Sequence, residues 1–255
     1  MPGLTVTIIT LNEAANIRAA IESVAWADEI VVIDSHSHDE TAAIARRFTD
    51  HVITREWPGY VAQKNYAASL ASNDWILSVD ADERVTVELA REIKALMAGE
   101  PSSAGYRVPR ASHYLGRWIR STDWYPDYQL RLYDRRRADW QGQYVHESVQ
   151  VANGGVSDLR ADLLHYPYRD VSHHLSTIDR YTTMAARQMH EAGRRTSAWQ
   201  LALHPPAAFL RNYLLRGGIR DGAAGFVVSM LNTYYVFLKF VKLRELQRLA
   251  TEARR

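Results

Sequence analysis

No cysteine occurs among the 255 residues, which excludes a disulfide framework and any metal site built on thiolates. Long tracts of glycine, serine or proline are also missing, and 47% of the residues are hydrophobic, so we expect a chain that is folded nearly throughout. The net charge is only +2, without the basic excess of a nucleic-acid-binding protein, and we expect no nucleic-acid partner. The first residues lack the basic start and long apolar run of a signal peptide, which predicts a cytoplasmic location.

Short β-branched runs alternate with segments of helical periodicity in the N-terminal third of the chain. The predicted strands are Leu4–Leu11, Glu29–Asp34 and Trp75–Val79, and the predicted helices are Asn16–Ala25, Glu40–Phe48 and Ala62–Leu70. This alternation predicts an α/β fold, a mostly parallel sheet with helices on both faces. In such sheets ligands bind beyond the carboxyl ends of the strands.

The pattern changes in the second half of the chain. Residues 104–168 contain short strand-like pieces separated by turns, which predicts an antiparallel or mixed extension of the sheet, and Ser172–Glu191 is a predicted helix. We expect Pro205 and Pro206 to break the chain before a helical C-terminal unit. The predicted domains are therefore residues 1–200 and residues 201–255.

Two carboxylates, Asp80 and Asp82, follow the apolar strand that ends at Val79. At that position they can coordinate a hard divalent cation while diphosphate oxygens complete its shell. A solvated turn is the alternative for an isolated Asp-X-Asp motif. Asn12, Glu13 and Asp34 also follow predicted strands, so we expect all five polar side chains to meet in one crevice.

Several ordered motifs resemble one known family. TLNEAANI (10–17), VVIDSHSHDET (31–41), AQKNYAAS (62–69) and ILSVDADE (76–83) together are similar to the family 2 glycosyltransferases of the GT-A fold. Within that family the chain resembles bacterial lipopolysaccharide-core β-glucosyltransferases, whose later segments are similar to YQLRLY (128–133) and YVHE (144–147) here. It departs from the pattern at Ser35, where many relatives carry a second acid beside Asp34.

The resemblance implies roles for individual residues. Thr10, Asn12, Glu13 and Asp34 would form the nucleotide pocket, with Asp34 against the uracil and ribose. The remaining implied contacts to the nucleotide sugar are Lys64, Asn65, Asp80 and Arg131, and the implied ligands of Mg²⁺ or Mn²⁺ are Asp80, Asp82 and His146. A solvated Lys64 and a purely structural Arg131 are the alternatives.

The implied reaction is a single displacement with inversion, which needs a base that takes a proton from the acceptor hydroxyl. Glu147 and Asp127 are the candidates, because a general base must reach the hydroxyl and stay ionised. We favour Glu147, since His146 beside it would place the pair near the metal. A strand cap at His146 and a salt bridge at Glu147 are the alternative.

Basic and apolar residues coincide at the C-terminal end. From His204 onward nine Arg and Lys residues face three acids, and Gly222–Leu238 is a run of seventeen residues without a charge. The run is at the lower limit for a bilayer span, and we expect a helix that lies in the cytoplasmic leaflet of the inner membrane, peripheral or monotopic. Packing on the catalytic domain or a homo-oligomer interface is the alternative.

The sequence thus predicts a metal-dependent, inverting glycosyltransferase that moves a hexose, glucose from UDP-glucose, onto a membrane-anchored glycolipid such as lipopolysaccharide inner core. Two alternatives stay open at this point. One is an enzyme of the same fold that acts on a polyprenyl phosphate or a protein, and the other is a non-catalytic membrane protein that binds nucleotide sugars.

Overall fold

The computed structural model describes residues 2–142 and 147–252. Residues 1–111 and 127–166 form one compact unit, and residues 112–126 and 167–255 form a second. The division into these compact units differs from the predicted boundary at residue 200, because the helix at 171–191 belongs to the same unit as the C-terminal helices. The assignment of functions to residues 1–200 and 201–255 stays a prediction.

The secondary structure is as follows. The strands are β1 (Leu4–Thr10), β2 (Glu29–Asp34), β3 (Val52–Thr54), β4 (Trp75–Asp80), β5 (Glu83–Val85), β6 (Gly105–Tyr114), β7 (Arg117–Ile119), β8 (Asp127–Asp134), β9 (Ala138–Gln141), β10 (Ser148–Val151), β11 (Val156–Asp158) and β12 (Leu163–His165). The helices are α1 (Ile17–Val24), α2 (Thr41–Ala45), α3 (Tyr60–Ser69), α4 (Val87–Ala98), α5 (Val171–Glu191), α6 (Ala198–Leu210) and α7 (Gly222–Glu252).

The main sheet has the order β3-β2-β1-β4-β8-β6-β12-β5, with β11 beside β6. The first four strands in this order are parallel, and β8 and β6 extend the sheet in antiparallel fashion. Strands β9 and β10 form a separate antiparallel hairpin, and β7 pairs with the last residues of β6 in the second unit. The predicted parallel sheet and its antiparallel extension are confirmed.

Both faces of the parallel strands are buried, which explains their continuous Val and Ile runs. On one face Ile8 of β1 packs in a core with Ile17 and Ile21 of α1. On the other, Ile33 of β2 packs with Ala67 of α3. Buried apolar residues therefore hold the strands in place on both sides, and the polar residues that follow them are confined to the strand ends.

The second unit is built around the helices α5, α6 and α7. The prediction that Pro205 and Pro206 break the chain is wrong, because both lie inside α6. The fixed φ of proline suits a helix, and its cost is the lost N–H donor and crowding of the preceding turn. A wider, π-helical turn follows at Arg211–Leu215. The helical stretch 218–252 is long and apolar enough to cross a membrane by length and composition.

Candidate functional site

Three polar residues stand side by side at the carboxyl ends of neighbouring parallel strands. In the registers of β1 with β2 and β4, Thr10 is opposite Asp34 and Ile9 is opposite Asp80. Thr10, Asp34 and Asp80 therefore occupy one edge of the sheet, as the alternation of strands and helices predicted. This edge is the candidate active site of the first unit.

Buried oxygen atoms with free hydrogen-bonding capacity gather beside β1 and β2. The Oδ2 of Asp34 accepts from the backbone N–H of Ser37 at 3.0 Å. Within the described residues, Thr10 Oγ1, Asp34 Oδ1 and Gln63 Oε1 are buried and have no hydrogen-bond partner. Gln63 belongs to the same place, because its amide donates to Ser35 at 3.0 Å. Since buried polar groups are normally paired, these oxygens suit a ligand that brings its own donors, as a nucleobase and ribose do.

Asn12 and Glu13 join the loop after β1 to the loop after β2. Asn12 has a left-handed backbone, with φ of 55°, and its Oδ1 accepts from the N–H of His38 at 2.8 Å. The N–H of Asn12 donates to Ser37, and that of Glu13 donates to Thr41, each at 2.8 Å. The two residues therefore fix the rim of the pocket, and their predicted contact with the nucleotide stays a prediction.

An unbroken chain of ion pairs extends from β4 towards β8. Lys64 Nζ lies 2.9 Å from Asp80 Oδ1, and Arg131 Nη2 lies 2.6 Å from Asp80 Oδ2. The same Nη2 donates to Glu83 Oε1 at 2.5 Å. The chain continues through Arg110, whose guanidinium lies 3.1 Å from Glu83 and 2.6 Å from Asp127. Signs alternate along all six groups, so each charge that leaves water has an opposite neighbour.

The ion pairs keep Asp80 and Arg131 charged. Burial disfavours the charged form of Asp80, but Arg131 and Lys64 outweigh it and hold the pKa of Asp80 well below its usual range. Burial lowers the pKa of the Arg131 guanidinium, but Asp80 and Glu83 outweigh this effect and raise the pKa above its ordinary value. The predicted site residues Lys64, Asp80 and Arg131 thus meet in one network.

The sequence motifs did not indicate three members of this site, namely Glu83, Arg110 and Trp140. Glu83 is fully buried, and its Oε2 accepts from the N–H of Asp80 at 3.0 Å. The ring of Trp140 lies 4.1 Å from Lys64 Nζ, a cation–π contact. The third carboxylate, directly after the Asp-X-Asp motif, was a usable sequence signal for Glu83, whereas Arg110 and Trp140 come from distant strands without a local motif.

Asn65 connects α3 to β9. Its Nδ2 donates to the carbonyl of Trp140, and its Oδ1 accepts from the N–H of Trp140, both at 2.9 Å. The amide is therefore occupied by the backbone of the hairpin that carries Trp140. The predicted contact of Asn65 with the nucleotide sugar stays a prediction.

Of the two predicted metal-binding aspartates, Asp82 is the one whose carboxylate is open to a cation. Both oxygens of Asp80 are paired with Lys64 and Arg131. Asp82 Oδ2 lies 3.4 Å from Nε2 of His165, and carboxylate oxygen is a ligand type that suits Mg²⁺ and Mn²⁺. In residues 2–142 and 147–252, no group of three or more His, Asp or Glu side chains is arranged to hold a metal ion. The predicted ligand His146 lies outside the described residues.

The two candidate bases differ in their surroundings. Asp127 Oδ2 accepts from Nε and Nη2 of Arg110, and its Oδ1 accepts from Gln129, so both oxygens are engaged. Glu147 Oε2 is buried and has no hydrogen-bond partner among the described residues. Glu147 therefore has an oxygen free to accept a proton.

Known proteins resemble this chain in sequence and in fold. Residues 5–154 match the family model described as Glycosyl transferase family 2. The chain is 33% identical to the lipopolysaccharide core biosynthesis glycosyltransferase LpsC of Rhizobium meliloti (strain 1021), covering 98% of this chain and 94% of that protein. It is 31% identical to an uncharacterized glycosyltransferase of Rickettsia felis, covering 96% and 90%.

One solved structure illustrates the fold. The mannosyltransferase PcManGT from Pyrobaculum calidifontis, in complex with GDP-Man and Mn²⁺, has a TM-score of 0.55 at 16% identity, covering 95% of this chain and 87% of that chain. At this identity the likeness concerns the fold alone. The predicted GT-A fold is confirmed.

Proposed function

Because the chain belongs to glycosyl transferase family 2, we propose that it is an inverting, metal-dependent hexosyltransferase that moves glucose from UDP-glucose onto a membrane-anchored glycolipid. The observation that carries this proposal is the alignment of Thr10, Asp34 and Asp80 at one edge of the sheet. Beside them, buried oxygens of Thr10, Asp34 and Gln63 have no hydrogen-bond partner among the described residues. The acceptor is lipopolysaccharide inner core, in keeping with the name of the Rhizobium meliloti relative. The enzyme works at the cytoplasmic face of the inner membrane, as a peripheral or monotopic protein.

In this proposal Asp34, Thr10 and Gln63 receive the uridine, and Lys64 and Arg131 lie near the diphosphate. Glu147 takes the proton of the acceptor hydroxyl, whose oxygen attacks the anomeric carbon as the bond to the diphosphate oxygen breaks. The sugar is thereby bonded to the acceptor oxygen with inverted anomeric configuration, and UDP is the leaving group. Asp82, with His165 beside it, would hold a divalent cation, which supplies positive charge for the departing diphosphate.

The base assignment is tested by exchanging each candidate carboxylate for its amide. Glu147→Gln should lower kcat by about 10²- to 10⁴-fold and leave the KM for UDP-glucose unchanged, because a general base acts on the acceptor. Asp127→Asn is the matched variant, since it removes an equal charge from a carboxylate that Arg110 already occupies. Turnover of UDP-glucose with purified core glycolipid is the measurement. Full activity of Glu147→Gln would reject the assignment.

Metal dependence is tested separately. Asp82→Ala should abolish transfer that depends on Mn²⁺ while the protein stays folded, as circular dichroism would report. Unchanged activity of this variant would refute the metal site at Asp82. Donor binding by the wild type without turnover on core glycolipid, a polyprenyl phosphate or protein would instead favour the non-catalytic alternative.

A further inference from the structure

We propose that the outer apolar face of α6, the turn at Arg211–Leu215 and α7 binds the surface of an anionic lipid bilayer, with these helices in the plane of the membrane and not across it. The proposal rests on the proposed function, because a membrane-anchored acceptor requires the enzyme to meet it at the bilayer.

The exposed side chains of α6 and the following turn are unusually large and apolar. Leu215 is 83% exposed, Trp199 is 75% exposed and Leu203 is 58% exposed. Leu203, Leu210 and Leu214 recur at spacings of seven and four residues, which places them on one face of a helix. Contiguous exposed apolar faces of this kind mark a partner or membrane surface.

A second apolar stripe runs along α7. Phe226, Met230, Tyr234 and Phe237 are exposed and recur at intervals of three and four residues. The two stripes belong to neighbouring helices, since the ring of Phe226 lies 5.8 Å from that of Phe209 in α6. Together they form one apolar surface, which we call the docking face.

Arginines at one end of the docking face fit an anionic partner. Arg211 and Arg216 share the single carboxylate of Asp123, at 2.9 and 3.6 Å. Arg220 is exposed in the next turn. Three guanidinium groups beside one carboxylate leave positive charge in excess, and guanidinium groups bind phosphate oxygens well. Apolar side chains with adjacent arginines match the acyl and phosphate layers of a bilayer containing phosphatidylglycerol or a similar anionic lipid.

The packing of α7 against α5 argues for the in-plane orientation. Lys242 Nζ lies 2.7 Å from Asp179 Oδ1 and donates to Thr182 and Thr183 of α5 as well. Asp179 is 73% exposed on its side chain. If α7 crossed the bilayer, α5 and its charged side chains would enter the hydrocarbon beside it, at a large energetic cost. Only the flank of α7 that faces away from α5 is free to meet lipid.

Sedimentation of the full-length protein with lipid vesicles tests the docking face. The wild type should bind vesicles of phosphatidylcholine and phosphatidylglycerol, and salt should weaken this binding. The double substitution Leu214→Ser and Leu215→Ser should reduce binding at least about tenfold, because it removes two adjacent exposed leucines, of which Leu215 has the highest exposed fraction on this face. Arg216→Gln and Arg220→Gln should each reduce it about fivefold, as expected for one basic residue near an anionic surface.

Matched controls lie in the first unit. Val87→Ser with Val156→Ser removes exposed apolar groups, and Arg46→Gln with Arg47→Gln removes exposed charges, so both pairs should bind vesicles like the wild type. Equal losses in controls and docking-face variants would overturn the proposal. If the docking face instead binds a second copy of the chain, the wild type should form a concentration-dependent dimer and should not bind vesicles. The leucine variant should then be monomeric. A C-terminal end of α7 that reagents reach only from the opposite side of the vesicle membrane would overturn the in-plane orientation.

Failure of this proposal is distinguishable from failure of the proposed function. Transfer to deacylated, water-soluble core oligosaccharide does not need a bilayer, so the leucine variant should retain wild-type rates there and lose activity on vesicle-bound acceptor. Absence of transfer to both acceptors in the wild type would reject the glycosyltransfer proposal. Equal rates of wild type and variant on vesicle-bound acceptor would reject the docking face.

Discussion

The four inner residues of the ion-pair chain each contact two opposite charges, and Glu83 is the most deeply buried of them. Glu83→Gln keeps the shape but leaves Arg131 and Arg110 with one carboxylate fewer in a buried site. We expect the free energy of unfolding to fall by about 3–5 kcal/mol, as for other broken buried pairs. Urea titration followed by circular dichroism measures this loss.

Glu22→Gln is the matched control, because Glu22 pairs with Arg18 at 3.6 Å on an exposed helix face. Exposed pairs of this kind contribute less than about 1 kcal/mol. Similar small losses in both variants would mean that the buried network contributes little to stability.

At the residue scale, the sequence predicted those site residues that lie in local motifs. Asp80, Lys64 and Arg131 were identified and lie in one network, although none of their assigned roles has been tested. Arg110 and Trp140 were missed, because their partners are far away in sequence. Arg110 meets Glu83 across 27 positions, and Trp140 meets Asn65 across 75. Side-chain pairing at such separations depends on the strand order, which no local pattern records.

Among the secondary-structure elements, the β9–β10 hairpin carries Trp140 and leads to Glu147, and Asn65 attaches it to α3. Asn65→Ala removes both hydrogen bonds to the backbone of Trp140 and leaves its partly buried N–H and C=O without these partners. We expect a loss of about 1–3 kcal/mol in stability and a lower kcat. Asn65→Asp keeps only the acceptor and should lie in between. Unchanged kcat in Asn65→Ala would show that the hairpin position is set elsewhere.

The start of α7 packs against the turn before it with no room for a methyl group. A Cβ on Gly225 would lie 1.9 Å from the carbonyl oxygen of Gly218. Gly225→Ala should therefore destabilise the second unit by about 1–3 kcal/mol, as overpacked sites do. Gly99→Ala is the control, since a Cβ there meets its nearest atom at 3.7 Å. Thermal unfolding of the two variants compares them, and equal midpoints would contradict the expected crowding.

Elements were predicted better in the first unit than in the second. The strand Glu29–Asp34 was predicted with the bounds that the structure has, because buried β-branched runs have clear ends. In the second unit, the predicted chain break at Pro205 and Pro206 is wrong, because α6 contains both residues. Proline inside a sequence usually ends or kinks a helix, but here the helix continues through both residues. The departure from α-helical geometry comes later, in the π-helical turn at Arg211–Leu215.

For the whole molecule, acid should weaken the fold through His174. Burial lowers the pKa of His174 to about 4, and the ring stacks on Tyr168 at 3.8 Å. The unfolded chain binds a proton at pH values where the folded chain does not, so stability is full above about pH 6.5 and falls as pH decreases towards 4. This histidine should contribute about 2–3 kcal/mol to that decrease.

His174→Phe keeps an aromatic ring and removes the titration. The variant should lose less stability than the wild type between pH 7 and pH 4.5, as measured by denaturant unfolding at both values. His190→Phe, near the end of α5, is a suitable control. Identical pH dependence in wild type and His174→Phe would contradict the assignment.

The ion-pair chain has a consequence for the whole catalytic unit. Lys64, Arg131 and Arg110 are matched one for one by Asp80, Glu83 and Asp127, so the network as a whole is electrically neutral. In the proposed reaction, a diphosphate that enters this edge of the sheet would find no surplus cation within these six groups. In that reaction a divalent ion would compensate this anion, and each of the two ligands would then raise the affinity of the protein for the other by the same factor.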